Sequence, residues 1–203
     1  MPLTRPDQRS GPGGWPRRAN PQEELWHPDP RIRRAAARDL AASGADSSLL
    51  GRRLESEDVP AVREALFMGL VRCGDPPALE CLVRLLRSGD PAVRSGAVEA
   101  LQQLPEGFAE HRPALLADPD PQVRLRGVEV MRDLRHPEVP RWLEELVRTE
   151  AALNVWAAAV DCLGEVGNKG DIPLLQAQGE RFPDEPYAAF AVREAIRRLG
   201  GSP

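Results

Sequence analysis

Four arginines recur along the chain at a nearly constant spacing, and their guanidinium groups are the side chains best suited to bind a ligand. Each arginine closes a short motif that begins with an aspartate and contains a proline. Guanidinium groups hold phosphates and carboxylates through paired hydrogen bonds. The pattern therefore predicts either an anion-binding surface or ion pairs with carboxylates of the protein itself. We call these residues the signature arginines: Arg33, Arg63, Arg94 and Arg124.

Motifs that are typical of catalysis are missing from the sequence. It contains no His-Glu-x-x-His segment, no Cys-x-x-Cys pair, no Gly-x-Ser-x-Gly turn and no Walker phosphate loop. His27, His111 and His136 lie beside proline or arginine near predicted helix ends, and no two of them share a helix face. We therefore expect a protein that is not an enzyme, with no catalytic residues, no metal ion and no other cofactor.

The composition favours an all-α protein of the cytoplasm. Ala, Leu, Arg and Glu dominate and favour helix, whereas no segment alternates as a half-buried strand does. No apolar run is long enough to span a membrane, and no apolar signal-peptide core follows Met1. The formal charge of −4 argues against a general polyanion binder. Cys73, Cys81 and Cys162 lie in apolar helical patterns, so we expect buried thiols.

An internal repeat of about 30 residues organises the chain. Each complete copy opens with an aspartate that can cap a helix and a proline suited to the first helical position. Apolar residues then recur at helical spacing, and another helix precedes each motif, as in segments 77–86 and 139–147. Such a small helical pair cannot bury its apolar face alone, so neighbouring pairs must stack. Four glycines are expected to end helices: Gly44, Gly74, Gly167 and Gly200.

The motif Asp-Pro-x-Val-Arg-x-x-Ala-x-x-Ala-Leu, most complete from Asp90 to Leu101, resembles HEAT repeats of the short, phycobilisome-lyase-like type. The resemblance covers about residues 20–203 and implies an all-α fold, an armadillo-like α-solenoid (superhelix) of about six HEAT-like helical pairs. It also implies that the helix with the signature arginine is the second of each pair and lines the concave face. The first copy is truncated, and the fifth lacks both Asp-Pro and the arginine.

Residues 1–19 stand apart from the repeats. They are rich in proline, glycine and arginine and hold almost nothing to bury, so we predict a flexible tail. An alternative is a partner-binding arm with Trp15 as its anchor.

The resemblance gives the recurring aspartates and arginines a structural role. In HEAT arrays such residues resemble a ladder of ion pairs and helix caps that joins the ends of successive helices. We favour this role over phosphate binding. The predicted structural ladder consists of Asp29, Arg33, Asp58, Arg63, Asp90, Arg94, Asp120 and Arg124.

Four successive second helices carry an acidic residue at one recurring position. With the signature arginine as position zero, positions +1, +4, +5 and +8 point away from the predicted core or lie at its margin. Acidic and apolar side chains side by side suit a basic or amphipathic segment of a partner protein. The valines could instead widen the core, and the acids could be a solvated face. The predicted partner-binding residues are Glu64, Phe67, Met68, Val71, Val98, Glu99, Leu125, Val128, Glu129, Val160, Asp161 and Glu194.

These observations favour a non-enzymatic adaptor, scaffold or assembly factor that binds a partner protein through its concave face. A bilin lyase-type subunit is an alternative, because similar repeats occur in enzymes that attach or remove bilins on phycobiliproteins. A nucleic-acid-binding module is a further alternative, since Trp156 and Asp161 on one helix resemble features of HEAT-like DNA glycosylases. The acidic body of the chain argues against DNA. We expect neither a membrane nor a small-molecule substrate among its partners.

Overall fold

The structure of the protein is a computed structural model that describes residues 20–44 and 47–200 of the 203-residue chain. The predicted tail, residues 1–19 with Trp15, lies outside the described residues. Within the described part, all regular elements are helical and no strand occurs. None of these helices combines the length and the hydropathy that crossing a membrane requires.

Twelve α-helices in the described residues form six successive pairs, which confirms the predicted all-α fold of the α-solenoid class. The first helices of the pairs are α1 (Pro21–Glu24), α3 (Ser48–Leu54), α5 (Pro76–Leu85), α7 (Pro105–Leu116), α9 (Val139–Thr149) and α11 (Ile172–Ala177). The second helices are α2 (Pro30–Ser43), α4 (Pro60–Cys73), α6 (Pro91–Gln102), α8 (Pro121–Asp133), α10 (Leu153–Val166) and α12 (Pro186–Arg198). A 3-10 turn at Lys169–Asp171 precedes α11.

The chain divides into two compact units between residues 73 and 74. The first unit holds two pairs, in which α2 packs against both α1 and α4, and α3 packs against α4. The second unit holds four pairs, and its second helices pack in series, α6 on α8, α8 on α10 and α10 on α12. The predicted single array over residues 20–203 stays a prediction.

Asp-Pro motifs begin three of the second helices as predicted. Asp29, Asp90 and Asp120 each accept a hydrogen bond from the backbone N–H two residues later, at 2.9, 2.8 and 2.8 Å. A proline follows each of them at the first position of the helix. Asp58 differs, because α4 begins at Pro60 and another residue stands between them. The prediction that Asp58 caps a helix is therefore corrected.

All four glycines expected to end helices lie at a helix end. Gly44 and Gly74 follow α2 and α4 directly with φ values of 67° and 56°, in the left-handed region where a side chain would be strained. Gly167 follows α10 with an ordinary φ of −80°. The chain can therefore turn sharply after α2 and α4 only because glycine stands there.

The core of each unit consists mainly of leucine, alanine and valine from the predicted inward positions. Leu66 and Leu70 are fully buried in the first unit, as are Leu101 and Leu163 in the second. The three cysteines form no disulfide, and burial raises the pKa of the Cys162 thiol to about 12. That thiol is therefore protonated and unreactive at neutral pH.

The backbones of α10 and α12 approach closely at Gly164. A Cβ atom added to this glycine would lie 2.7 Å from the Cα atom of Ala195. Packed carbon atoms prefer about 3.5–4.0 Å, so one helix would have to move. We expect Gly164→Ala to lower the free energy of unfolding by about 1–3 kcal/mol, although alanine ordinarily favours helix. Urea denaturation followed by circular dichroism measures the change.

Gly89→Ala is the matched control, because no heavy atom lies within 4 Å of a Cβ atom built at Gly89. Its stability should stay within about 0.5 kcal/mol of the natural protein. If Gly164→Ala were as stable as the control, α10 and α12 could not be held together at the separation described.

Candidate functional site

The signature arginines hold the loop between the two helices of their own pair. In all four repeats the guanidinium group donates a hydrogen bond to the backbone carbonyl six residues earlier. The nitrogen–oxygen distances are 2.9, 2.6, 2.6 and 2.7 Å in chain order. The accepting carbonyls belong to His27, Glu57, Ser88 and Asp118.

The side chains at these same positions accept a second hydrogen bond. Each accepts from the backbone N–H two residues later, through an imidazole nitrogen, a hydroxyl oxygen or a carboxylate oxygen. The corresponding residue of the fifth repeat does the same at 2.7 Å. The carbonyl group of the loop residue and the backbone N–H group two residues later thus both have hydrogen-bond partners at the start of the second helix. We call these five residues the loop acceptors: His27, Glu57, Ser88, Asp118 and Glu150.

The fifth repeat obtains its arginine from elsewhere in the chain. Trp156 occupies the position of the signature arginine and is fully buried. Arg181, from the loop before α12, instead donates to the carbonyl oxygens of Glu150 at 2.7 Å and Arg148 at 2.6 Å. The fifth loop is therefore held by a guanidinium group that belongs to the sixth pair.

Two signature arginines also reach the loop acceptor of the next pair. Arg33 donates from Nε and Nη2 to the two carboxylate oxygens of Glu57, both at 2.8 Å. Arg124 binds Glu150 in the same two-pronged way, again at 2.8 Å. All four side chains are largely shielded from solvent, so these ion pairs link consecutive pairs of helices.

The predicted structural ladder is corrected in its acidic partners. The aspartates cap helices, as Asp29, Asp90 and Asp120 do, but the carboxylates that bind Arg33 and Arg124 are glutamates about 25 residues downstream. A glutamate is long enough to accept from its own loop backbone and from the neighbouring arginine together.

Both glutamates remain ionised in the folded protein. Burial by itself would raise the pKa of Glu57, but hydrogen bonds from Arg33 and the Val59 N–H, with the charge of Arg53, lower it to about 2. Burial also opposes ionisation of Glu150, and hydrogen bonds from Arg124 and from backbone N–H groups outweigh it, so its pKa lies below 4.5.

The link between the third and fourth pairs is built differently. The loop acceptor there is Asp118, whose side chain is one methylene shorter than glutamate. Its carboxylate pairs with Arg87 instead of Arg94. Within the described residues Arg94 has no carboxylate partner, and its one hydrogen bond runs from Nη1 to the carbonyl of Ser88.

This difference predicts unequal effects of removing two equivalent arginines. Arg124→Ala removes four hydrogen bonds and leaves the shielded Glu150 carboxylate without its cation. We expect a loss of about 3 kcal/mol in the free energy of unfolding, against about 1 kcal/mol for Arg94→Ala. Chemical denaturation of both variants provides the comparison. Arg141→Ala, at a side chain 82% exposed, is the control and should change stability by less than about 0.5 kcal/mol. Equal losses at Arg94 and Arg124 would contradict the conclusion that only Arg124 of these two forms an ion pair with the next repeat.

The low pKa of Glu57 predicts a loss of stability in acid. Since the folded-state pKa is lowered from 4.5 to about 2, the stabilisation is complete above 4.5 and disappears as the pH falls towards 2. Glu57→Gln should therefore destabilise the protein by about 3 kcal/mol at neutral pH and by much less near pH 2. Denaturation curves at several pH values measure this convergence. Glu64→Gln, at an exposed residue of α4, is the control and should change stability by less than about 0.5 kcal/mol at neutral pH. A Glu57→Gln deficit that stays constant with pH would exclude the ion pair as its cause.

Part of the predicted partner-binding surface lies in the core. Val98, Val128 and Val160, all at position +4, are 9%, 1% and 0% exposed, so they cannot contact a partner and instead widen the core. That part of the prediction is corrected. The other nine residues are exposed or half-exposed: Glu64, Phe67, Met68 and Val71 in the first unit, and Glu99, Leu125, Glu129, Asp161 and Glu194 in the second.

The acidic residues of the second unit are mostly paired with arginines. Asp161 of α10 accepts hydrogen bonds from Arg132 of α8 at 2.9 Å and from Arg198 of α12 at 2.6 Å. Glu165, one turn further along α10, also accepts from Arg132. These four residues form what we call the ion-pair network, which bridges three second helices.

The two other predicted acids that have ion pairs bind arginines of their own helix. Glu129 pairs with Arg126 in α8, and Glu194 pairs with Arg197 in α12. Among the four predicted acids of the second unit, Glu99 alone has no ion pair within the described residues. The surface is therefore less acidic than the sequence indicated.

Sequence reasoning missed two exposed aromatic residues on α12. Tyr187 and Phe190 are 58% and 50% exposed, and their ring centroids lie 6.4 Å apart. Phe190 occupies position +1, as the predicted Glu64 and Leu125 do, so the repeat register could have identified it.

The aromatic residue behind the nucleic-acid alternative is not available to a ligand. Trp156 is fully buried, and its indole N–H donates to the carbonyl of Val147 at 3.2 Å. It therefore cannot stack on a base. Over residues 20–44 and 47–200, no group of three or more His, Cys, Asp or Glu side chains is arranged to hold a metal ion.

Comparison with known proteins identifies one protein family and one curated relative. The family described as HEAT repeats matches residues 47–116 and 109–197, which is more than half of the chain. The "Uncharacterized phycocyanin operon protein Z" of Pseudanabaena tenuis (strain PCC 7409) is 29% identical over 189 residues, covering 87% of this chain and 92% of the relative.

Solved structures with similarity to this chain include an archaeal protein and a chain of a phycocyanin lyase complex. The archaeal HEAT-like repeats protein from Thermococcus onnurineus NA1 is 15% identical, with a TM-score of 0.41, over 89% of this chain and 85% of that one. A chain of the complex of CpcE and CpcF of phycocyanin lyase from Nostoc sp. PCC7120 is 17% identical, with a TM-score of 0.35, over 96% and 100%.

Proposed function

The chain belongs to the HEAT repeat family, and we propose that it is a non-enzymatic adaptor or assembly factor that binds a partner protein. One observation carries the proposal. The helices α6, α8, α10 and α12 pack in series, and each exposes side chains at equivalent positions. Stacked repeats of this kind present extended binding surfaces. We call the exposed and half-exposed residues of these four helices the second-helix surface.

The second-helix surface offers an apolar anchor point at α12. Tyr187 and Phe190 are large, exposed and adjacent, and aromatic side chains of this type dominate the energy of many protein interfaces. Burying them against a partner would remove considerable apolar area from water.

The remainder of this surface is polar and already ordered. The ion-pair network fixes Arg132, Asp161 and Arg198 against one another, so less side-chain freedom is lost when a partner binds. Glu99, on α6, supplies the negative charge that a basic group could approach. The surface therefore suits an amphipathic segment with apolar residues near α12 and a basic residue near α6.

The size of the surface fits this partner. Packed helices lie about 8–10 Å apart, so four helices in series span about 30 Å. A helix of about 20 residues has the same length. One helical segment of a partner could therefore contact all four helices.

Partner binding by surface variants tests the proposal. Affinity capture with the full chain from extracts of its native organism, followed by mass spectrometry, identifies the partner whose binding kinetics are then measured. Phe190→Ala should speed dissociation about tenfold or more, because it removes an aromatic anchor. Glu99→Lys should mainly slow association with a basic partner, and added salt should weaken binding of the natural protein.

Neither substitution should alter the thermal melt, because both side chains are exposed. Trp26→Ala is the matched control: this aromatic residue is 51% exposed but lies in the first unit, so its removal should leave binding unchanged. If the Phe190 and Glu99 variants bind as the natural protein does, the second-helix surface is not the binding site.

A bilin lyase-type subunit is the second candidate, and the phycocyanin operon relative favours it. That similarity extends over most of both chains. If the chain acts in bilin attachment, incubation with phycocyanin apo-subunits and free bilin should produce visible absorbance that survives denaturation of the phycocyanin. An adaptor without lyase activity would bind the apo-subunits and leave the bilin free.

A further inference from the structure

The second unit contains two signature arginines, Arg94 and Arg124. Arg124 binds a carboxylate of the next repeat, whereas Arg94 binds no carboxylate within the described residues. From this we infer that the cavity beside Arg94 is a binding site for a carboxylate group brought by a ligand. The site lies where the loop inside the third pair meets the loop inside the fourth pair, and the aromatic anchor on α12 is not part of it. The inference goes beyond the proposed function, and neither depends on the other.

The chain itself contains two examples of the occupied site. In the first and fourth repeats the arginine donates from Nη1 to its own loop carbonyl, and its Nε and Nη2 atoms hold a glutamate carboxylate. Arg94 makes the same Nη1 bond, to Ser88 at 2.6 Å. Its guanidinium group is therefore anchored in the same manner, and the Nε and Nη2 atoms have no partner among the described residues.

A cavity of about 280 Å³ lies beside the Arg94 side chain. Arg87, Arg94 and Arg126 line it, with Gln122 and Asp120 among the other side chains. Asp118 neutralises Arg87 and Glu129 neutralises Arg126, so among the three arginines Arg94 alone has no carboxylate partner in the described residues. A small anionic group could enter this space and meet the free edge of Arg94.

The neighbouring charges favour a carboxylate over a phosphate. Arg87 is already paired with Asp118, and Arg126 with Glu129, so Arg94 would supply the principal contact. Asp120 faces the same cavity and would repel a doubly charged phosphate more strongly than a singly charged carboxylate. The flat guanidinium edge also matches the two oxygens of a carboxylate, as Glu57 and Glu150 demonstrate within this chain.

The length of Asp118 explains why the protein does not fill this site itself. In the second and fifth repeats a glutamate at the equivalent position, Glu57 or Glu150, extends to the arginine of the preceding pair. Asp118 is one methylene shorter and pairs with Arg87. Asp118→Glu should therefore place the chain's own carboxylate on Arg94 and exclude a ligand.

Nuclear magnetic resonance of the full chain tests the inference directly. The Nε–H signals of arginine are followed while sodium acetate, or a blocked peptide of three glutamates, is added at constant ionic strength. The Arg94 signal should shift and saturate. The Arg124 signal should not, because Glu150 already occupies that edge. The acetate arm represents a free carboxylate and the peptide arm an acidic protein segment, and the tighter probe identifies the source.

Three variants complete the test. Arg94→Gln and Asp118→Glu should each weaken peptide binding at least tenfold, whereas Arg141→Gln, at an exposed site on α9, should leave it unchanged. Thermal melts establish that each variant is folded. The inference is overturned if neither probe shifts the Arg94 signal, if both site variants bind as the natural protein does, or if inorganic phosphate binds there more tightly than the carboxylates.

Discussion

The turn inside each helical pair leaves backbone N–H and carbonyl groups that need partners. In the first five repeats one arginine and one loop acceptor meet this need. The guanidinium group is suited to the task because its five N–H donors point in fixed directions. One nitrogen can hold the carbonyl of its own loop while the opposite edge remains free for the next pair, as at Arg33 and Arg124. A lysine in this position would offer a single ammonium group and no such division.

Features that depend on a few neighbouring residues were predictable from the sequence, and features that depend on distant ones were not. Caps such as Asp90 involve residues two positions apart, so the local motif was sufficient. The ion pair between Arg33 and Glu57 spans 24 residues. The aspartates lie closer to the arginines in the sequence, so they were predicted as the ion-pair partners. The loop acceptors also escaped notice, because histidine, glutamate, serine and aspartate share only the ability to accept a hydrogen bond. Comparing the repeats for a hydrogen-bond acceptor six residues before each signature arginine, instead of for an identical residue, would have identified His27, Glu57, Ser88 and Asp118.

The partner-binding surface was predicted only in part for a related reason. A single helical wheel placed Val128 and Val160 at the margin of the core, but α8 and α10 each pack against second helices on both sides. Contact on two sides widens the buried arc beyond that of an ordinary surface helix. The same wheel showed Asp161 as an exposed acid, because Arg132 and Arg198, which neutralise it, belong to neighbouring helices. Pairing between helices is a property of the packed array and cannot be read from one helix.

The repeats share one loop structure, but its arginine has different roles in different repeats. Arg33 and Arg124 complete an ion pair with the following pair of helices, and Arg181 substitutes for the arginine that the fifth repeat lacks. Arg94 completes only the contact within its own loop. An arginine whose second edge is unused can change its contacts without breaking the stack, since the neighbouring pairs are still held by α6 packing on α8 and by the pairing of Arg87 with Asp118. In a repeat protein this separates the residues that maintain the fold from those that can bind a ligand, and for Arg94 the short side chain of Asp118 decides between the two roles.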